Sequence, residues 1–203
     1  APRWRDLKEQ FLITPEQENQ LARYADLLLT ENETHNLTAI TDFPGIVRHH
    51  FHDSLMVANV VDLSAVRTIA DVGTGAGFPG LVLKIMYPHL QVLLIEMNGK
   101  KKAFLEQVCR ELGLADVQLC DYDWRTFLRV TEGKIDLFVS RAALPTRELA
   151  RAFKPACSYN TATMVYWASA AWEAEPEVVS LIAQQWAYTL GSRERSLVVL
   201  RRP

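Results

Sequence analysis

Apolar positions along the chain change their period once, near Arg67. Before it they recur at helical spacing. Thr14 is a helix N-cap, Pro15 suits the first helical position, and Gln17 stands where a capping box needs it. Such a cap contributes about 1 kcal/mol. Leu21, Tyr24 and Leu28 then fall on one face. After a turn at Asn36, Leu37 and Thr38, Asp42 precedes Pro44 and opens a second helical run to about Val61. Beyond Arg67, short apolar runs at 68–72, 91–96, 117–120, 135–140 and 163–167 alternate with helical patterns at 81–87, 100–112 and 147–153. Strands and helices that alternate at this spacing predict a parallel sheet covered on both faces. Two β-prone runs, 185–190 and 196–201, are joined by Gly191 to Arg195 and predict a closing antiparallel hairpin. The expectation is one doubly wound α/β domain over 1–203, with a helical extension over 1–63 and an α/β core over 64–203.

Composition narrows the class. The chain has 203 residues, 49% hydrophobic and 23% charged, which supports a packed core and argues against extended disorder. No apolar run approaches the roughly 18 residues that a membrane-spanning helix needs, so a cytosolic protein without membrane association is expected. A net charge of −2 excludes a generally polycationic coat for nucleic acid and leaves room for a local basic patch. Cys109, Cys120 and Cys157 are odd in number and far apart, as reduced thiols would be.

The sharpest motif runs from Asp71 to Gly80, DVGTGAGFPG, directly after a strand and before a helix. Gly73, Gly75 and Gly77 let the chain turn tightly and let a ligand approach the backbone. Glu96, about twenty residues on at the end of the next strand, stands where a carboxylate accepts both hydroxyls of an adenosine ribose. Gly75, Gly77 and Gly80 also satisfy the GxGxxG spacing of dinucleotide sites, which leaves an NAD-type oxidoreductase as an alternative. Two details favour S-adenosylmethionine: Asp71 at the strand terminus, and Pro79, which removes an amide donor that a pyrophosphate would use.

Further stretches make a family resemblance specific. They are Leu37 to Ile40, Arg48-His49 with Asp53 to Leu55, the Asp71 to Gly80 loop, Gly99-Lys100, Phe104-Leu105, Glu111 to Leu114, and Ser140 to Ala142. Over residues 37 to 142 the chain resembles the RsmG (GidB) family, which methylates N7 of a guanine in 16S ribosomal RNA. The resemblance implies a class I methyltransferase (Rossmann-like) fold and cofactor contacts from Gly73 and Phe78. It implies further contacts from the positions of Trp124, Arg125 and Arg141, and a substrate that is 16S RNA or the small ribosomal subunit. Trp124-Arg125 replaces a small or acidic pair usual in the family, and Trp167 stands where a lysine is common. These departures support a second alternative, a non-catalytic ribosome-binding protein that keeps the fold.

Guanine N7 is a lone-pair nucleophile that loses no proton on methylation, so positioning suffices and no catalytic acid or base is expected. Arg141, just past the fourth strand, is the candidate for holding the target base. Arg48, His49 and Asp53 are candidates for shaping the RNA entrance, with Asp53 expected to orient His49 or Arg48. His49, His52 and Asp53 share a helical face, but their spacing matches no zinc pattern, so no metal is expected. Lys100 to Lys102, Arg193, Arg195, Arg201 and Arg202 are candidate phosphate contacts set against a solvated-surface reading. A monomer is expected.

Overall fold

The computed structural model describes residues 4–141 and 143–203; Ala1 to Arg3 and Ala142, the last residue of one family-like stretch, lie outside the described residues. Seven strands form one sheet in the order β3-β2-β1-β4-β5-β7-β6. They are β1 (Thr68–Val72), β2 (Gln91–Ile95), β3 (Val117–Cys120), β4 (Leu137–Arg141), β5 (Thr163–Ser169), β6 (Ile182–Leu190) and β7 (Arg193–Leu200). The first five pair in parallel, and β7 runs antiparallel to both β5 and β6. The strand order reverses between β1 and β4, where open α/β sheets leave a crevice at the carboxyl ends.

Successive side chains of a strand point to opposite faces, and the two cores follow that period. Ile69, Leu137, Val139, Val165, Trp167, Leu197 and Val199 enter one core. Ala70, Val72, Phe138, Met164, Tyr166 and Val198 enter the other. The first core is covered by α1 (Arg5–Gln10), α2 (Pro15–His35), a helical run over 43–59 that contains α3 (Phe43–Ile46) and α4 (Asp53–Leu55), α5 (Gly80–Met86) and α6 (Gly99–Leu112). The second is covered by α7 (Trp124–Val130), α8 (Thr146–Leu149), the 3₁₀ turn Ala150–Phe153 and α9 (Pro176–Val179). Leu21, Tyr24 and Leu28 of α2 are fully buried in the first core, together with residues of β1, β4 and β5.

Local signals hold where they are self-contained. Thr14 and Gln17 form the expected reciprocal capping box at 3.0 and 3.2 Å. Gly113 caps α6 with φ +64°, and Asn98 caps its other end by accepting from the Lys100 and Lys101 amides. Two expectations change. The second helical run is α-helical at Phe43–Ile46, widens into a π-helix over Val47–His52, and closes through Asp53–Leu55 and a 3₁₀ turn at Met56–Asn59. The C-terminal hairpin turns on Gly191 and Ser192 alone. Arg193 to Arg195 are strand residues paired with Leu190, Thr189 and Tyr188, so the charged run lies in the ladder and not in a loop.

Candidate functional site

The glycine loop leaves β1 with Gly73 at φ +68°, Gly75 at +63° and Gly77 at +102°. A Cβ on Gly73 would lie 2.3 Å from the Ala143 Cβ, whereas a Cβ on Gly75 would meet nothing within 4 Å. Open space at Gly75 is what a ligand lying against the backbone requires. Glu96 stands beside it. Its Oε2 accepts from the Gly75 amide at 3.0 Å and its Oε1 from the Asn98 amide at 2.9 Å. Met97 follows as a large apolar side chain left 62% exposed at the end of β2.

Asp71 lies under the loop, fully buried. Its Oδ2 accepts from the Thr74 hydroxyl at 2.6 Å and the Gly80 amide at 2.7 Å. Burial pushes its carboxyl up to about 6, against the opposing pull of those two hydrogen bonds. Its Oδ1 is buried without a partner, an acceptor left over by the protein's own hydrogen bonding. The orphaned oxygen, the Glu96 carboxylate and the open Gly75 fit a ligand that carries hydrogen-bond donors and a flat or hydroxylated part, as an adenosyl amino acid does.

Phe78 is the hub on the other side of the loop. The His50 imidazole stacks on it with ring centroids 4.2 Å apart and planes within 1°. Tyr24 stacks at 5.3 Å, and its hydroxyl donates to the Ala76 carbonyl. The Arg141 guanidinium carbon sits 5.4 Å from the Phe78 ring centre. Arg141 donates through Nη1 to the His49 carbonyl at 3.0 Å and through Nη2 to His50 Nδ1 at 2.7 Å. A guanidinium has no acceptor, so His50 Nδ1 must be bare. The ring proton is then on Nε2, donated to the Thr38 hydroxyl 2.8 Å away. Burial, and Arg141 after it, push the His50 pKa down to about 2 and keep the ring neutral.

Asp53 anchors the network from the helical run. It is fully buried and accepts from Tyr188 Oη at 2.6 Å, Arg195 Nη1 at 3.0 Å and Arg141 Nη1 at 3.2 Å. The Trp167 indole donates to its backbone carbonyl at 2.8 Å. The expectation that Asp53 orients Arg48 or His49 is therefore corrected. The π-helix turns Asp53 toward the sheet, where Arg141, Trp167 and Arg195 project on one face, while Arg48 points outward toward Asp6. His52 contacts Gln10, so His49, His52 and Asp53 do not converge. Among the described residues no three histidine, cysteine or acidic side chains gather as a metal site would require.

The remaining expected residues are placed as follows. Trp124 is 5% exposed, stacks on Phe127 and donates its indole N–H to the Glu148 carbonyl at 2.8 Å. Arg125 forms a two-pronged pair with the Glu148 carboxylate, both contacts at 2.9 Å. Both stand at the head of α7, just beyond the carboxyl end of β3. Both terminal nitrogens of Arg141 are committed to the helical run. Lys102 is paired with Asp121. His50, Tyr188 and Met97 were not singled out from the sequence, and Tyr24 was read there only as part of an apolar helix face. Only Met97 carried a local signal, an apolar residue directly after the acid that ends β2.

The family model described as rRNA small subunit methyltransferase G (GidB) matches residues 17–189. "Ribosomal RNA small subunit methyltransferase G" of Geobacillus kaustophilus is 50% identical over 110 residues, 54% of this chain and 46% of that protein. The protein of the same name from Listeria monocytogenes is 39% identical over 132 residues, 64% of this chain and 56% of its own. The chain thus spans about half the length of the curated relatives it matches. Two solved structures share the fold at low identity. MtNAS, in complex with MTA and tNA, gives a TM-score of 0.61 at 14% identity over 92% of this chain and 74% of its own. TrmK of M. capricolum, in complex with S-adenosylhomocysteine, gives 0.55 at 13% over 73% and 67%.

Proposed function

The chain belongs to the GidB family of small-subunit rRNA methyltransferases, and from that membership we propose that it methylates N7 of a guanine in 16S ribosomal RNA, using S-adenosylmethionine. The observation that carries the cofactor assignment is the Glu96 carboxylate at 3.0 Å from the Gly75 amide, beside a glycine with open space over it. Glu96 would accept the ribose hydroxyls, and the free Oδ1 of Asp71 supports the methionine end. Gly73, Gly75, Gly77 and Phe78 would form the loop, with Trp124 and Arg125 bordering the adenine side from the head of α7. When bound, the cofactor supplies an electrophilic methyl group.

The chain's own residues then have only to position. N7 carries its lone pair in the plane of the base and gives up no proton, so no base is called for. Orientation alone can contribute roughly 7–11 kcal/mol. Arg141, held by Asp53 and His50, fixes the end of β4, near which the guanine would lie. Arg48 and His49 would meet the RNA at the entrance.

The test is transfer of a labelled methyl group from S-adenosylmethionine to small subunits that lack the modification, followed by digestion to nucleosides. The expected product is 7-methylguanosine. Label in another nucleoside would move the target, and no label with intact cofactor binding would favour a non-catalytic ribosome-binding protein.

A further inference from the structure

The turn at Gly191 and Ser192 delivers the hairpin to the outer side of the helical run. A Cβ on Gly191 would lie 3.4 Å from the Arg48 Cδ, so the hairpin tip lies beside the Arg48 side chain of the π-helix. Arg193, the first residue after the turn, is exposed and has no ion-pair partner among the described residues. Arg195 follows on the same face of β7 and is spent on Asp53. His49, half-buried between these groups, has its pKa lowered by burial and then by Arg193 and Arg48, with Arg195 adding and Asp53 opposing. Among the described residues Arg48 pairs with Asp6 alone, at 3.7 Å between side chains 49% and 65% exposed, a contact worth little in water.

The register fixes which cations share this end of the sheet. Arg195 pairs with Ser169, the last residue of β5, and Arg193 lies beyond it, at the carboxyl ends of the parallel strands. Arg201 follows Leu200, which pairs with Met164 near the start of β5, so Arg201 and Arg202 lie at the opposite end. Lys134 also lies there, beside Asp136. The carbonyl of His49 is bonded to Arg141, which places this rim one hydrogen bond from the Phe78 hub.

From this we propose that Arg48 and Arg193 form a phosphate seat: they clasp a backbone phosphate of the RNA strand that presents its guanine to the site. The inference rests on the RNA-methylation reading and adds to it a specific contact. Both side chains are long and exposed. The guanidinium fork suits a phosphate oxygen pair, and dropping the loose Asp6 contact costs Arg48 little.

The experiment compares wild type with Arg48→Ala, Arg193→Ala, the double variant, and Lys134→Ala as a control at the far end of the strands. Binding of protein-free, unmodified small-subunit RNA is measured across a salt series, and calorimetric titration with S-adenosylmethionine checks the pocket. Each arginine removed is expected to weaken RNA binding about fivefold near physiological salt and to lower the salt slope by about 0.7–0.9. Cofactor affinity and the control should not change. Unchanged RNA affinity and slope in the double variant, with wild type still binding cofactor and RNA, overturn the seat alone. Loss confined to intact subunits, with naked RNA bound as before, also overturns it, because the rim would then meet protein. Wild type that binds neither ligand overturns the underlying reading together with the seat.

Discussion

The imidazole of His50 lies flat on the ring of Phe78, 4.2 Å between centroids and 1° between planes, while its Nδ1 accepts from Arg141. One neutral ring from the helical run thereby holds both a residue of the glycine loop and the residue that ends β4. Two parts of the proposed cofactor pocket, more than sixty residues apart in the chain, are set by this contact.

His50→Ala should therefore loosen the pocket. It removes a stacking partner worth about 0.5–1.5 kcal/mol and leaves an Arg141 donor without its acceptor, at about 1–3 kcal/mol. We expect a lower melting temperature and at least a tenfold rise in the Kd for S-adenosylmethionine, the equivalent of about 1.4 kcal/mol. A wild-type Kd in this variant would remove His50 from the account.

Tyr24 and Gly77 should be coupled. A Cβ on Gly77 would lie 2.2 Å from the Tyr24 hydroxyl oxygen, on a residue whose φ is +102°. Gly77→Ala is expected to destabilise strongly, and Tyr24→Phe by about 0.5–1.5 kcal/mol through loss of the bond to the Ala76 carbonyl. Tyr24→Phe also removes the nearest of the clashing atoms, leaving Leu81 Cδ1 at 2.8 Å, so urea unfolding of the double variant should show less destabilisation than the sum. Strict additivity would contradict this packing.

Asp71 predicts a pH dependence. Its folded pKa is raised, from 3.8 to about 6, so the protonated form is favoured in the native state. Its contribution to stability is fully present below about pH 4 and is lost as pH rises through 6, a change of about 3 kcal/mol. Asp71→Asn lacks that titration. The stability of wild type relative to Asp71→Asn should fall between pH 4 and 6 and level off above; a difference independent of pH would count against the buried, partly orphaned carboxylate.

Asp53→Asn should be among the most damaging single changes. The carboxylate faces two guanidiniums and a tyrosine hydroxyl in a dry interior. Removing its charge leaves Arg141 and Arg195 uncompensated, at a cost of about 3–5 kcal/mol. Thermal denaturation checks this, and stability within 1 kcal/mol of wild type would show the network to be solvated.

Elements whose signals are local were legible in the sequence. The Thr14–Gln17 capping box, the Gly113 cap and the period-2 strands each depend on residues within a few positions. The glycine loop and Glu96 were legible for the same reason, since a βαβ unit brings the ends of adjacent strands together. The Asp53 network was not. Its members Asp53, Arg141, Tyr188 and Arg195 come from four separate elements, and only the parity of β4 and β7 places the two arginines on one face. The π-helix was hidden too, because Val47 to His52 carries no residue that breaks an α-helix. The hairpin turn was read too long because Arg193, Glu194 and Arg195 look like loop residues. They are strand residues because they pair with Leu190, Thr189 and Tyr188 of β6 and because the Arg195 side chain reaches the buried Asp53.

The most direct test of the central claim is calorimetric titration of wild type and Glu96→Ala with S-adenosylmethionine, with NADH as the parallel ligand and melting curves to confirm folding. The account predicts saturable one-to-one binding of S-adenosylmethionine to wild type, loss of that binding in folded Glu96→Ala, and no binding of NADH to either. Binding of S-adenosylmethionine undiminished by Glu96→Ala, or binding of NADH in its place, would contradict it.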